Sequence, residues 1–121
     1  MGVEATAPGR RVEERNAVAG LARFFPEAAP VRIAAQLART ASAVDSPSGL
    51  FCETVVIEFG TPREVIFACT TSLEFGDVLR LRNSDGSLDV EASVVAVQYH
   101  ADQTVVAARF IGTVRNWIVK P

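Results

Sequence analysis

From Leu50 onward, apolar and polar residues alternate with a period of two, the pattern of strands that bury one face. Val55, Ile57 and Phe59 line one face of a first segment, with Phe51 ahead of them and Glu53 an awkward charged member of the same row. Val65 and Phe67 mark a second strand, and Leu79 and Leu81, set against Arg80 and Arg82, a third, with "FGD" turning the chain between them. "NSDGS", residues 83–87, carries the Asp-Gly signal of a hairpin loop. Leu88, Val90, Ala92, Val94 and Ala96 then alternate with Asp89, Glu91 and Ser93 until Val95, Val97 and Tyr99 blur the pattern. A β-bulge, or a strand passing into a region covered on both faces, accounts for such a blur. "HADQ" predicts a second hairpin loop, after which Val106, Ala108 and Phe110 return opposite Val105, Arg109 and Ile111.

The first forty residues read differently. Residues 1–9 are small and end in "PG", the composition of a tail. Over residues 10–25, Val12, Ala17, Val18, Leu21, Phe24 and Phe25 recur at helical spacing, and Pro26 closes the run because proline disfavours helix in the residue before it. "VRIAAQLAR", residues 31–39, is open between helix and strand: alanine favours the helix, while Val31 and Ile33 alternate as in a strand, the reading we adopt. "SAVDSPSG", residues 42–49, is a loop by composition. Five or six antiparallel strands joined by short loops must bury one face, and closing them into a small barrel removes unpaired edges. The expected architecture is mainly β: a small antiparallel barrel over residues 31–112, an N-terminal α-helix over residues 10–25, and a C-terminal segment, residues 113–121, packing on the barrel.

Composition narrows the function classes. With 121 residues and 49% hydrophobic residues the chain can bury a core of its own, and a net charge of -2 with a pI near 5.4 argues against nucleic acid or an anionic membrane as partner. No apolar run is long enough to span a bilayer or form a signal-peptide core, so a cytoplasmic location is expected. Cys52 and Cys69 both lie in apolar runs and read as reduced core residues.

The tract from Val55 to Phe110 resembles the PilZ domain family. The resemblance is carried by "VIFACTTSLEFGDVLRL", by "LDVEASVVAVQ", by the closing "VAARF", and by "PVRIAA" as a first strand, together about two thirds of the chain. It implies a six-stranded antiparallel barrel and a bacterial signalling role, the best-known members being receptors of the second messenger cyclic di-GMP. Those members carry Arg-x-x-x-Arg ahead of the first strand and Asp/Asn-x-Ser-x-x-Gly at the turn after the second. Guanidinium groups stack on guanine and pair with its edge or with phosphate, and small turn residues let the backbone approach the base. Here the turn reads "FGTPRE": Phe59 stands in place of the acid or amide, Thr61 of the serine and Glu64 of the glycine. Only the hydroxyl is kept, and Glu64 brings negative charge toward a dianionic ligand. "RVEER" supplies Arg11 and Arg15 at the arginine spacing, about sixteen residues before Val31, with Glu13 and Glu14 as local neutralising partners.

The other candidate chemistry is thin. His100 sits in a hairpin loop beside Asp102 with no further residues at metal-ligand spacing, and no nucleophile elbow or phosphate-binding loop occurs. No metal, no cofactor and no catalytic centre is therefore expected. Trp117 either packs back on the barrel or serves as an exposed anchor for a partner, and Phe24 and Phe25 in "LARFF" admit the same two readings. Exposed, they would support a homodimer or a complex with another protein. The expected function is a non-enzymatic PilZ-like module that has lost ordinary cyclic di-GMP binding and acts through protein contacts. The alternative is a working cyclic di-GMP receptor that uses Arg11, Arg15 and Thr61.

Overall fold

A computed structural model describes residues 17–41, 52–114 and 117–120 of the chain. The tail and the loop expected over residues 1–9 and 42–49 lie outside the described residues, as do Arg11 and Arg15. Six strands, β1 (Ala29–Ala41), β2 (Cys52–Gly60), β3 (Glu64–Cys69), β4 (Val78–Arg82), β5 (Asp89–Tyr99) and β6 (Thr104–Phe110), close into an antiparallel barrel in the order β1-β2-β3-β6-β5-β4. The ambiguous "VRIAAQLAR" is strand: paired on one side with β2 and on the other with β4, its backbone gains two ladders that outweigh the helix preference of its alanines.

Alternation sets the barrel interior. Leu79 and Leu81 are fully buried while Arg80 and Arg82 face solvent, and Val55, Ile57, Val90, Ala92, Val106 and Ala108 point to the same interior. The blur in β5 is a bulge. The β5–β6 register shifts between Val94 and Ala96, so Val97 rejoins the interior while Val95 and Ala96 face outward.

Residues 17–22 form a helix, α1, laid on the outside of the barrel. Val18, Leu21 and Ala22 pack there with Ile66 of β3 and Val105 and Ala107 of β6. β3 and β6 are thus covered on both faces, which is why "EVIFAC" and "TVVAARF" read as nearly continuous apolar runs. The helical spacing pointed to residue 25, but the chain leaves the helix at Arg23. Phe24 N–H and Phe25 N–H bond back three residues, to Leu21 and Ala22 carbonyls at 3.1 and 2.9 Å, the tightened turn that ends a helix ahead of a proline.

Two side chains face the other way from their sequence reading. Phe59 does not share a face with Ile57: the β2–β3 register shifts between them, and Phe59 joins the outer cluster under α1. Cys52 is exposed rather than a core residue, because it has the parity of Thr54 and Val56 on the outer face of β2. Cys69 is buried as expected, and burial, with Glu53 nearby, pushes its thiol pKa up to about 12.

The strand order gives the barrel two distinct ends. β3 and β4 lie opposite each other in the ring of six, so the connection between them, residues 70–77, crosses one mouth. Leu73 drops from it fully buried into the interior. The other mouth receives the C-terminal segment, where Trp117 is 3% exposed within the core cluster and Val114 and Val119 pack beside it.

Candidate functional site

The turn that joins β2 to β3 is where the family resemblance places ligand chemistry, and its side chains are occupied with one another. Thr61 is buried, and its hydroxyl accepts hydrogen bonds from Arg63 N–H at 3.0 Å and Glu64 N–H at 2.9 Å while donating to Glu64 Oε1. A hydroxyl has one proton and two acceptor positions, so all three are spent. The arrangement is a side-chain turn, in which a Ser or Thr oxygen takes the place of a backbone carbonyl. Thr61 N–H closes it by donating to Glu64 O at 2.9 Å.

Glu64 is the second half of the lock. Its other oxygen, Oε2, accepts from Arg109 Nε and lies 2.9 Å from Arg109 Nη2, a two-pronged pairing across β3 and β6, where Glu64 and Arg109 are register partners. A buried carboxylate with a hydroxyl, a backbone amide turn and a guanidinium around it is held in place and neutralised. Phe110 N–H donates to Arg63 O at 2.8 Å, fastening the turn to β6.

Trp117 seals this turn from above. Its indole N–H donates to Thr61 O at 2.6 Å, and its ring meets Phe110 edge-on with centroids 5.2 Å apart and planes at 76°. Gly60 makes the approach feasible, since a Cβ at that position would lie 2.3 Å from Trp117 Cζ2. Of the two readings of Trp117, the structure bears out the packed one. It is not an exposed anchor.

The remaining candidates are placed as follows. Phe24 is 74% exposed beyond the end of α1, whereas Phe25 is half-buried against the outer cluster. His100 is exposed in the β5–β6 hairpin, its N–H bonded to Gln103 O at 2.9 Å. Among the described residues no group of three His, Cys, Asp or Glu side chains could hold a metal ion. No described helix is long and apolar enough to cross a membrane. A shallow groove of about 640 Å³ on the outside, lined by Gln36, Thr54, Arg82, Asn83, Ser84 and Asp85 among others, mixes one cation with one carboxylate.

Sequence reasoning missed several groups at the far mouth. Glu53, the misfit in its apolar row, accepts from Thr70 N–H at 2.7 Å and from Thr71 N–H and Oγ1 at 3.3 and 3.2 Å, anchoring the crossing connection. Asp77 is fully buried, accepts from Glu74 N–H at 2.9 Å and pairs with Arg39 at 3.7 Å. Tyr99 Oη donates to Leu73 O at 2.5 Å. The charged residue in the apolar row was the signal for Glu53; Tyr99 gave none, because its partner is 26 residues away, and Asp77 reads in sequence only as part of the "FGD" turn.

Compared with known families and with curated proteins, the chain matches no family model and no curated protein.

Proposed function

We propose that the chain is a non-enzymatic PilZ-like module of bacterial signalling that acts in the cytoplasm through protein contacts and has lost ordinary cyclic di-GMP binding. The observation that carries this reading is the state of Thr61. It is the one hydroxyl that the "FGTPRE" turn keeps from the ligand motif, and its proton and both acceptor positions are already engaged within the turn. A guanine base arriving there would have to displace these bonds, taking from Glu64 Oε1 and from the Arg63 and Glu64 amides the hydroxyl that satisfies them. Phe59, at the acid or amide position, packs under α1 and has no polar atom to offer. The antiparallel barrel of six strands, with residues 31–39 as its first, is consistent with the family likeness.

Titration of cyclic di-GMP into the purified chain, followed by calorimetry, tests the reading. The expected outcome is no saturable heat at micromolar ligand. Saturable heat that disappears in Arg11→Ala/Arg15→Ala would overturn it and establish the receptor reading with those arginines as ligand-binding residues.

A further inference from the structure

The ring of strands closes, but its seam is paired along only part of β1. β2 accompanies β1 from Ala29 to Ala38, whereas β4 pairs with it only from Gln36 to Ala41. Residues 29–35 therefore have no strand beside them on the β4 side, because β4 ends at Arg82 and the chain turns away through residues 83–88 into β5.

The hydrogen bonds fix which backbone groups this leaves open. Asn83 N–H donates to Leu88 O at 3.0 Å, and Val94 N–H to Asp77 O at 2.9 Å, so Leu88 and Val94 turn their backbone groups toward the β4 side and, by alternation, Val90 and Ala92 do too. Their partners Leu81 and Leu79 face β5 in return, which turns Arg82 and Arg80 toward β1, opposite Gln36 and Ala38. Alternation along β1 then points the N–H and C=O of Ala34 the same way as those of Gln36, into the space where β4 has ended. Ala34 is exposed, and among the described residues nothing pairs with its backbone there. A groove of about 640 Å³ lies at this edge, with Ala34, Ala35 and Gln36 on one side and residues 83–86 of the hairpin on the other.

We propose that this edge receives an extended segment of a partner protein, which adds to β1 as a further strand in the place where β4 leaves off. The same alternation defines the segment. A residue opposite Ala34 exchanges both backbone hydrogen bonds with it and, like Arg82 opposite Gln36, carries its side chain outward. The residues on either side of it turn inward, beside buried Ala35 and beside Ile33, which packs on the core. The fitting segment thus has a polar side chain between two apolar ones. A second copy of the chain does not fit: its β1 would arrive with β2 on one flank and its own hairpin tip on the other, and could not enter a groove walled by residues 83–86. The proposal supplies the mode of contact for the interaction reading above and rests on it.

Amide exchange on the full chain tests the edge first. The Ala34 amide should exchange about tenfold or more faster than the Ala35 amide, which lies in the β1–β2 ladder opposite Val55. A blocked peptide in which threonine and valine alternate between terminal lysines is the probe. At millimolar concentration it should slow Ala34 exchange about tenfold and shift the resonances of residues 33–36 and 82–86. Methylating the threonine amide nitrogens should abolish binding and methylating the valine nitrogens should not, since only the outward residues turn their N–H to β1. Ala34→Pro removes the open N–H, so it should unfold near the wild-type midpoint and no longer hold the peptide, whereas Ala35→Pro breaks the ladder with β2 and should lower that midpoint. An Ala34 amide as protected as Ala35, no response to millimolar peptide, or binding that survives methylation at threonine would each overturn the proposal. Ala34 protection that grows with the concentration of the chain alone would put a second copy in the groove and overturn it as well. Saturable heat with cyclic di-GMP would instead count against the contact reading, so the two failures are distinguishable.

Discussion

At one mouth of the barrel a single indole from the C-terminal segment rests on a polar turn. At the other, a connection between opposite strands crosses the opening and lowers Leu73 into the interior. The first closure depends on complementary shape: Gly60 has no side chain, Trp117 fills the space, and Thr61 O receives the indole proton. The second is demanded by topology, since β3 cannot reach β4 except across the mouth, and Glu53 fastens the strap by taking hydrogen bonds from Thr70 and Thr71. The comparison teaches that a small barrel has two openings to fill, and that here side chains of the chain itself, Trp117 and Leu73, fill them by different routes.

The sharpest way to break the comparison is to empty each mouth in turn. Trp117→Ala removes a buried ring and orphans Thr61 O, and should cost about 3–5 kcal/mol in urea unfolding. Leu73→Ala should cost about 2–4 kcal/mol, since the strap stays anchored through Glu53 and the neighbours can relax into part of the cavity. If both variants unfold at the wild-type midpoint, neither mouth is sealed as described. A smaller and more selective perturbation is Gly60→Ala. Its Cβ collides with the indole and should cost about 1–3 kcal/mol by overpacking. The same change should weaken the Trp117 fluorescence signature of burial while leaving the far mouth untouched, which proteolysis at residues 70–77 would check.

The smallest effect concerns the two cysteines near the Leu73 mouth. At neutral pH a thiol reagent should label Cys52 at once and Cys69 only after unfolding. The Cys69 thiol is raised in the folded chain, so above its ordinary value of 9.0 the unfolded chain loses this proton first. Its contribution to stability is then intact below pH 9 and declines as pH rises toward about 12. Cys69→Ser should shift that alkaline limb of the pH–stability curve, whereas Cys52→Ser should leave it in place.

Most of the barrel was legible because alternation of side chains is a direct record of which face is buried. Leu79 and Leu81 against Arg80 and Arg82 left no choice, and the confusion at Val95 correctly marked a bulge. Cys52 was misread even though its parity with Thr54 and Val56 was available, because apolar neighbours in sequence were allowed to outweigh the pleat. Phe59 could not be read this way, since one irregularity after Ile57 reverses every later side chain of β2. The outer half of the polar lock was invisible for a different reason: Arg109 and Trp117 come 48 and 56 residues after Thr61, and pairings at that distance leave no local pattern, whereas the Thr61–Glu64 contact is a local one at a spacing of three. The resemblance drew attention to this turn, and the structure shows that the Thr61 hydroxyl is engaged within it.

Closure of the ring has a kinetic side. The seam between β1 and β4 joins residues such as Thr40 and Val78, 38 apart in sequence, while β4–β5 and β5–β6 are joined by short hairpin loops. Hairpins over residues 78–110 can form early from local contacts, whereas the seam must wait until a long loop has surrendered its entropy. The β3–β6 ladder, which pairs Glu64 with Arg109, faces the same delay, so the two long-range ladders that turn local hairpins into a tube form after the hairpins.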